Sequence, residues 1–121
     1  MAKKKNSGLD SMKKNARVLC LLSKTSPKVI KAVISNSNND LIKTISACSS
    51  NVLSGKYFLE QSEIDKLKKH KKALRNLSEK HTSVEDKRAL LMKGGSLLPI
   101  LIGTIAPILL DTFLKLTRKK N

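Results

Sequence analysis

Met92-Lys93-Gly94-Gly95-Ser96-Leu97-Leu98-Pro99-Ile100-Leu101-Ile102-Gly103-Thr104-Ile105-Ala106-Pro107-Ile108-Leu109-Leu110 is the stretch whose reading decides the fold. Before Gly94 the chain is strongly basic; after Gly95 it is apolar and carries no charge until Asp111. Glycine lacks the Cβ that holds φ negative, so a glycine pair between two unlike segments reads as a hinge, a processing joint, or both. The uncharged run from Ser96 to Leu110 is 15 residues long. As a helix at about 1.5 Å per residue it spans roughly 22 Å, short of a hydrocarbon core of about 30 Å. Two internal prolines weaken a straight helix further. Leu97, Leu98, Ile100, Leu101, Ile102, Ile105, Ile108, Leu109 and Leu110 are therefore expected to form a hydrophobic helical tail. Three fates stay open for it: association with a membrane, packing inside a capsid, or burial as the last core helix of a small domain.

Across its 121 residues the chain carries 25 Lys and Arg against nine Asp and Glu, a formal net charge of +16. Residues 1–95 hold 21 of the cations and eight of the acids, net +13, while residues 96–121 hold four and one, net +3. The basic load thus belongs to the part that is not greasy. Such a balance points to a polyanion, either nucleic acid or anionic lipid. A chain of this length fits one small domain, and the apolar residues before Gly94 can fill only a thin core. Cys20 and Cys48 stand apart with no CxxC or Cys/His cluster, which marks them as small core residues, with a disulfide as the alternative. No apolar stretch of the signal-peptide kind follows Met1-Ala2-Lys3-Lys4-Lys5, so synthesis in the cytosol is expected.

The pattern predicts an all-α protein: a bundle of short helices, then a basic helix, then the hydrophobic tail. Residues 1–10 read as a disordered basic arm and residues 11–59 as a short-helix core. Within that core, Ser11 to Ser23 has the apolar density of a buried helix, with Asp10 or Ser11 as cap. Ser26-Pro27 is a compact helix start whose Val29, Ile30, Val33 and Ile34 line one face. Asp40 is placed to cap a third helix carrying Leu41, Ile45, Cys48 and Val52 to a stop at Gly55. Tyr57-Phe58-Leu59 is expected to pack beneath these helices. Residues 60–95 read as the basic segment, with a long helix from Ser62 bearing Ile64, Leu67, Leu74 and Leu77 as a narrow stripe. Thr82-Ser83-Val84-Glu85 has the form of a capping box opening one more helix.

Along the basic helix, Lys66, Lys68, Lys69, Lys71, Lys72 and Arg75 crowd the surface with no acid between residues 66 and 75. A merely solubilising face would mix Lys with Glu; an unmixed one repels itself and suits phosphate. With Lys87 and Arg88 of the following helix, these are the candidate nucleic-acid-binding residues. Binding without sequence readout and with strong salt dependence is the expected behaviour. His70 and His81 are too far apart for a metal pair, and no cofactor motif, paired catalytic carboxylates or Cys/His nucleophile pair is legible. Neither an enzyme nor a metal protein is expected.

The run Met92-Lys93-Gly94-Gly95-Ser96-Leu97-Leu98-Pro99-Ile100-Leu101-Ile102 resembles the end of the adenovirus core protein X family, the precursors of the mu peptide. There too a basic segment meets a methionine, a basic residue, two glycines and a Leu/Pro/Ile-rich tail. Small basic proteins of Maverick/polinton and adintovirus elements are similar. The resemblance covers Arg88 to Lys115 and implies a virion core protein that condenses duplex DNA. It also implies a maturation protease that takes Met92 in an apolar pocket and Gly94-Gly95 through a narrow cleft, cutting so that Ser96 begins the released peptide. The chain departs from the family in favouring lysine over arginine and in carrying a longer helical region before the basic segment. Arginine holds phosphate by a bidentate fork that lysine lacks.

The expectation is a DNA-packaging precursor of a virion core, acting there or in a host nucleus, whose tail is released by cleavage after Gly95. Its rival is a membrane-active or tail-anchored protein, with the lysines on anionic headgroups. A third reading is a helical interaction protein whose lysines only keep it soluble. Homodimerisation through the short apolar helices would double the basic surface.

Overall fold

The computed structural model describes the backbone of residues 3–93 and 97–119, with side chains placed for residues 13–93 and 97–111. The described residues form an all-α protein: α1 (Lys3–Leu22), α2 (Pro27–Ser35), α3 (Asn39–Leu53), α4 (Gln61–Lys68), α5 (Lys71–Ser78), α6 (Val84–Met92) and α7 (Leu97–Lys119). Local chemistry sets most boundaries. Ser26 caps α2 by accepting from the Val29 amide, with Pro27 in the first turn where no amide is needed. Asn38, rather than Asp40, caps α3 through the Leu41 amide at 3.0 Å; Asp40 lies in the first turn, where its charge suits the helix dipole. At the other end of α3, Gly55 adopts φ 77°. The Gly55 amide then bonds Val52 O and the Lys56 amide bonds Asn51 O, which closes the last turn in the left-handed manner open to glycine.

The decisive helix is α7. Leu97, Leu98, Leu101, Ile102, Ile105, Ala106 and Leu109 are buried, and the helix packs against α1, α2, α4 and α6. Residues recurring at three- and four-residue steps give an apolar face broader than one neighbouring helix can cover. Ala16, Leu19 and Leu22 of α1 and Ile30 and Ile34 of α2 belong to the same continuous core. The expected division into a helical body and a separate greasy tail is therefore corrected to the core-helix alternative. The apolar faces of α1, α2 and α4 need a surface to close on, and α7 supplies it. Ile100 and Ile108 are half-buried, and Gly103, Pro107 and Leu110 face solvent. That placement explains why Pro107 is tolerated: the carbonyl left without its helical partner is that of Gly103, on the wet side. Among the described residues no single helix is long and apolar enough to cross a membrane.

Four smaller expectations change. The backbone is helical from Lys3, so most of the arm expected to be disordered extends α1; a helix anchored by packing further along propagates cheaply into lysines. The long basic helix is two, α4 and α5, with Lys69 and His70 between them. A continuous helix would place His70 or Lys71 in the stripe joining Leu67 to Leu74; the break lets α4 pack on α7 and α5 on α3. Ser83, not Thr82, caps α6, accepting from the Asp86 amide at 3.1 Å. Finally, Phe58 is 94 % exposed while Tyr57 and Leu59 are half-buried, since in an extended loop successive side chains leave on opposite sides; Val29, in the first turn of α2, is exposed too.

Cys20 and Cys48 are free thiols, half-buried and buried. Burial pushes the Cys48 thiol up from 9.0, partly offset by a hydrogen bond from Tyr57. Burial likewise pushes the Tyr57 hydroxyl from 10.0 up to about 12, against the opposing hydrogen bond that Asn51 Nδ2 donates to it at 3.1 Å.

Two outcomes follow from this core. Leu101→Ala is expected to cost about 2–5 kcal/mol in urea denaturation, and a chain ending at Gly95 to lose cooperative unfolding altogether. A sharp transition retained by the truncated chain would refute the central place of α7. In alkali, the folded state holds the Cys48 and Tyr57 protons more tightly than the unfolded chain does. Their contribution is complete below about pH 9 and is lost progressively as pH rises towards about 12. A Cys48→Ala/Tyr57→Phe variant should show a shallower loss of stability over that window than the parent protein; identical profiles would contradict the assignment.

Candidate nucleic-acid interface

The eight predicted cations divide into two physical groups. Lys66, Lys68, Lys69, Lys71, Lys72 and Arg75 are all exposed. On α5, Leu74 and Leu77 are buried against α3; Lys72 lies on the opposite side with Arg75 beside it, and Lys71 flanks Leu74 one turn earlier. On α4 the capping of Glu60 and Glu63 draws the acids to the helix start, where the Glu63 carboxylate accepts from the Glu60 amide at 3.0 Å. Gln61 holds Asp65 at 2.9 Å. The cations Lys66 and Lys68 are left for the last turn, as the helix dipole favours.

The start of α5 breaks that rule. Lys71 and Lys72 occupy its first turn, which contains no acid, and no side chain caps it. Cations at the positive end of a helix cost a few tenths of a kcal/mol each, up to about 1, at low salt. A helix start without a side-chain cap and lysines together make a place that favours an external anion. Lys68 and Lys69 approach the same corner from α4. Lys66 does not join them: it borders a hollow with Glu63, Pro99, Ile100, Gly103 and Thr104, on the solvent side of α7. The corner was not legible as such in the sequence, because a single long helix has no internal N-terminus.

Lys87 and Arg88 do something else. Lys87 is only 9 % exposed, and its Nζ donates to Ser46 Oγ of α3 at 2.7 Å. Ser46 Oγ in turn donates to the Leu77 carbonyl near the end of α5. Arg88 Nη1 reaches the Ile34 and Ser37 carbonyls at 2.8 and 2.9 Å, and its Nη2 reaches Asn39 Oδ1 at 2.9 Å. Arg88 therefore serves the C-terminal carbonyls of α2 directly, and Lys87 approaches the end of α5 through the Ser46 hydroxyl; positive charge is favoured at both helix ends. Their assignment to nucleic acid is corrected: these adjacent residues of a short, packed helix are turned inward, Lys87 to the Ser46 hydroxyl and Arg88 to oxygens at the end of α2 and the start of α3. Among the described residues no buried side-chain nitrogen or oxygen lacks a hydrogen-bond partner.

Of the expected cleavage motif, Met92 is half-buried, whereas Gly94, Gly95 and Ser96 lie outside the described residues. His70 is half-buried at the α4–α5 corner and His81 is exposed. Among the described residues no group of three His, Cys, Asp or Glu is arranged to hold a metal ion. The chain matches no protein-family model, no curated protein and no solved structure. The resemblance to adenovirus-type core precursors thus rests on the residues that carry it.

If Lys87 and Arg88 fasten helices together, Lys87→Ala and Arg88→Ala should each lower stability by about 1–3 kcal/mol, by removing hydrogen bonds from a charged donor. Denaturant midpoints measure this directly, and unchanged midpoints would return both residues to the surface group.

Proposed function

We propose that this protein binds duplex DNA through its phosphates, without reading sequence, at the corner between α4 and α5. The observation that carries the reading is the uncapped, acid-free start of α5 with Lys68, Lys69, Lys71 and Lys72 around it. Phosphates placed there gain amide hydrogen bonds, the helix dipole and lysine charge at once. The net charge of +16 adds long-range attraction and rapid, non-specific association. Lysine point charges orient phosphate less strictly than arginine forks, which favours a mobile coat over fixed register. On this reading the chain acts as a packaging protein for genome DNA, in a virion core or a nucleus, in keeping with the adenovirus-type resemblance.

Release of the C-terminal segment is not part of the proposal. With Leu98, Leu101, Ile105 and Leu109 inside the core, a cut at Gly95 would leave α7 held by its neighbours. For the same reason a membrane-inserted tail is not proposed: inserting α7 means emptying the core. Duplex affinity measured over a salt series tests the reading. The Lys69→Glu/Lys71→Glu/Lys72→Glu variant should bind at least tenfold more weakly, its log–log salt slope shallower by about three. Reversal of Lys24, Lys28 and Lys43, exposed elsewhere, should cost clearly less. Equal losses from the two sets would remove the corner as the site.

A further inference from the structure

Between the end of α3, the loop before α4, and the α4–α5 pair lies an open cleft of about 150 Å³ with an apolar floor. Val52, Leu53, Leu59, Ile64, Leu67 and Leu74 line it, and two cations, Lys68 and Lys71, complete its wall. Phe58, on the loop that sends Leu59 into the cleft, is almost wholly in water. We propose that this cleft is a docking site for an acidic segment of a partner protein, which inserts one large apolar side chain while its carboxylates pair with Lys68 and Lys71. The site is separate from duplex binding in its chemistry, although the two share those lysines.

Size and charge choose the occupant. A space of this volume accepts something on the scale of a benzene ring, whereas small-molecule sites run from about 300 to 1,000 Å³. A whole acyl chain does not fit; a Phe or Leu side chain does. A second copy of this chain is disfavoured because both partners would bring a formal charge of +16 to a lysine-bearing wall. Among the residues lining the cleft there is no acid, so an incoming carboxylate meets only cations. A segment joining acids to one apolar anchor satisfies both features, in the way that buried anchors dominate small interfaces. Phe58 offers such a segment a second apolar contact on the same loop. Because the docked acids occupy Lys68 and Lys71, the partner and DNA are expected to compete.

The test uses the full chain and a labelled synthetic peptide in which one Phe is flanked on each side by three acidic residues, together with its Phe→Ala counterpart. A chain this basic will attract any acidic peptide, so the discriminating quantity is the ratio of the two affinities. The Phe peptide should bind about tenfold more tightly or better, since a buried phenyl ring is a large apolar gain. It should also shift the methyl resonances of Leu53, Leu59 and Ile64. Leu59→Asp, with its helical content checked, should abolish the preference; should that variant not fold, the methyl shifts of the parent protein decide alone. Equal affinity for the two peptides, or binding of neither, overturns the proposal. So does a result in which anionic phospholipid vesicles move those methyls and the Phe peptide does not. Loss of duplex binding at the corner would leave the Phe-to-Ala ratio unaffected, so the two readings fail separately.

Discussion

The fold depends on one constraint: a chain this short has few apolar side chains and must draw on every helix to build an interior. Small domains bury a smaller share of their surface than large ones, so no single helix can be spared from the core. Leu19 of α1, Ile34 of α2, Leu67 of α4 and Leu91 of α6 are each buried in the cluster that includes Leu101, Ile102 and Ile105 of α7. Without α7, the helices that touch it would present apolar faces to water. Its breadth, rather than its hydropathy alone, suits it to the centre, since it meets four neighbours where most helices here meet fewer.

Polar chemistry then fixes the arrangement that apolar burial only permits. Hydrophobic contact is non-directional and tolerates sliding. The hydrogen bonds of Lys87 and Arg88 do not, because Lys87 ends on the Ser46 hydroxyl of α3 and Arg88 on the Ile34 and Ser37 carbonyls at the end of α2. Asn15 of α1 acts similarly towards α3, donating to Thr44 Oγ1 at 2.8 Å and to the Asp40 carbonyl at 3.3 Å. These three residues register α1, α2, α3, α5 and α6 against one another. In a protein with so many surface cations, two are thereby withdrawn from any external ligand.

Much of the secondary structure was legible because its signals are local. Ser26-Pro27, the stop at Gly55 and the spacing of Leu41, Ile45 and Cys48 carry their own physical reasons within a few residues. The four exposed cations around the α4–α5 corner were legible as a group, since charge with no acid nearby needs no tertiary knowledge. Two kinds of information were not. Whether an apolar run at the end of a chain is a free tail or an interior helix is decided by what the other helices leave uncovered. Leu97 to Leu109 reads alike in both cases. Likewise Lys87 and Arg88 differ from Lys71 and Lys72 in which oxygens of other helices stand within reach, and the break at His70 follows from a gap in the stripe that tertiary packing resolves.

The contact between α1 and α7 joins nearly the two ends of the sequence. On the ribosome, Leu19 emerges long before Leu101 and Ile105 have been made. Until they appear, the nascent helices carry open apolar faces beside a dense cationic surface, close to the RNA of the ribosome itself. Folding must therefore wait for the last segment of this stretch to leave the exit tunnel, and long-range closure of this kind is slow compared with helix formation. Synthesis is thus the period in which self-association and adventitious capture by RNA most threaten the protein, and a holding chaperone would guard it.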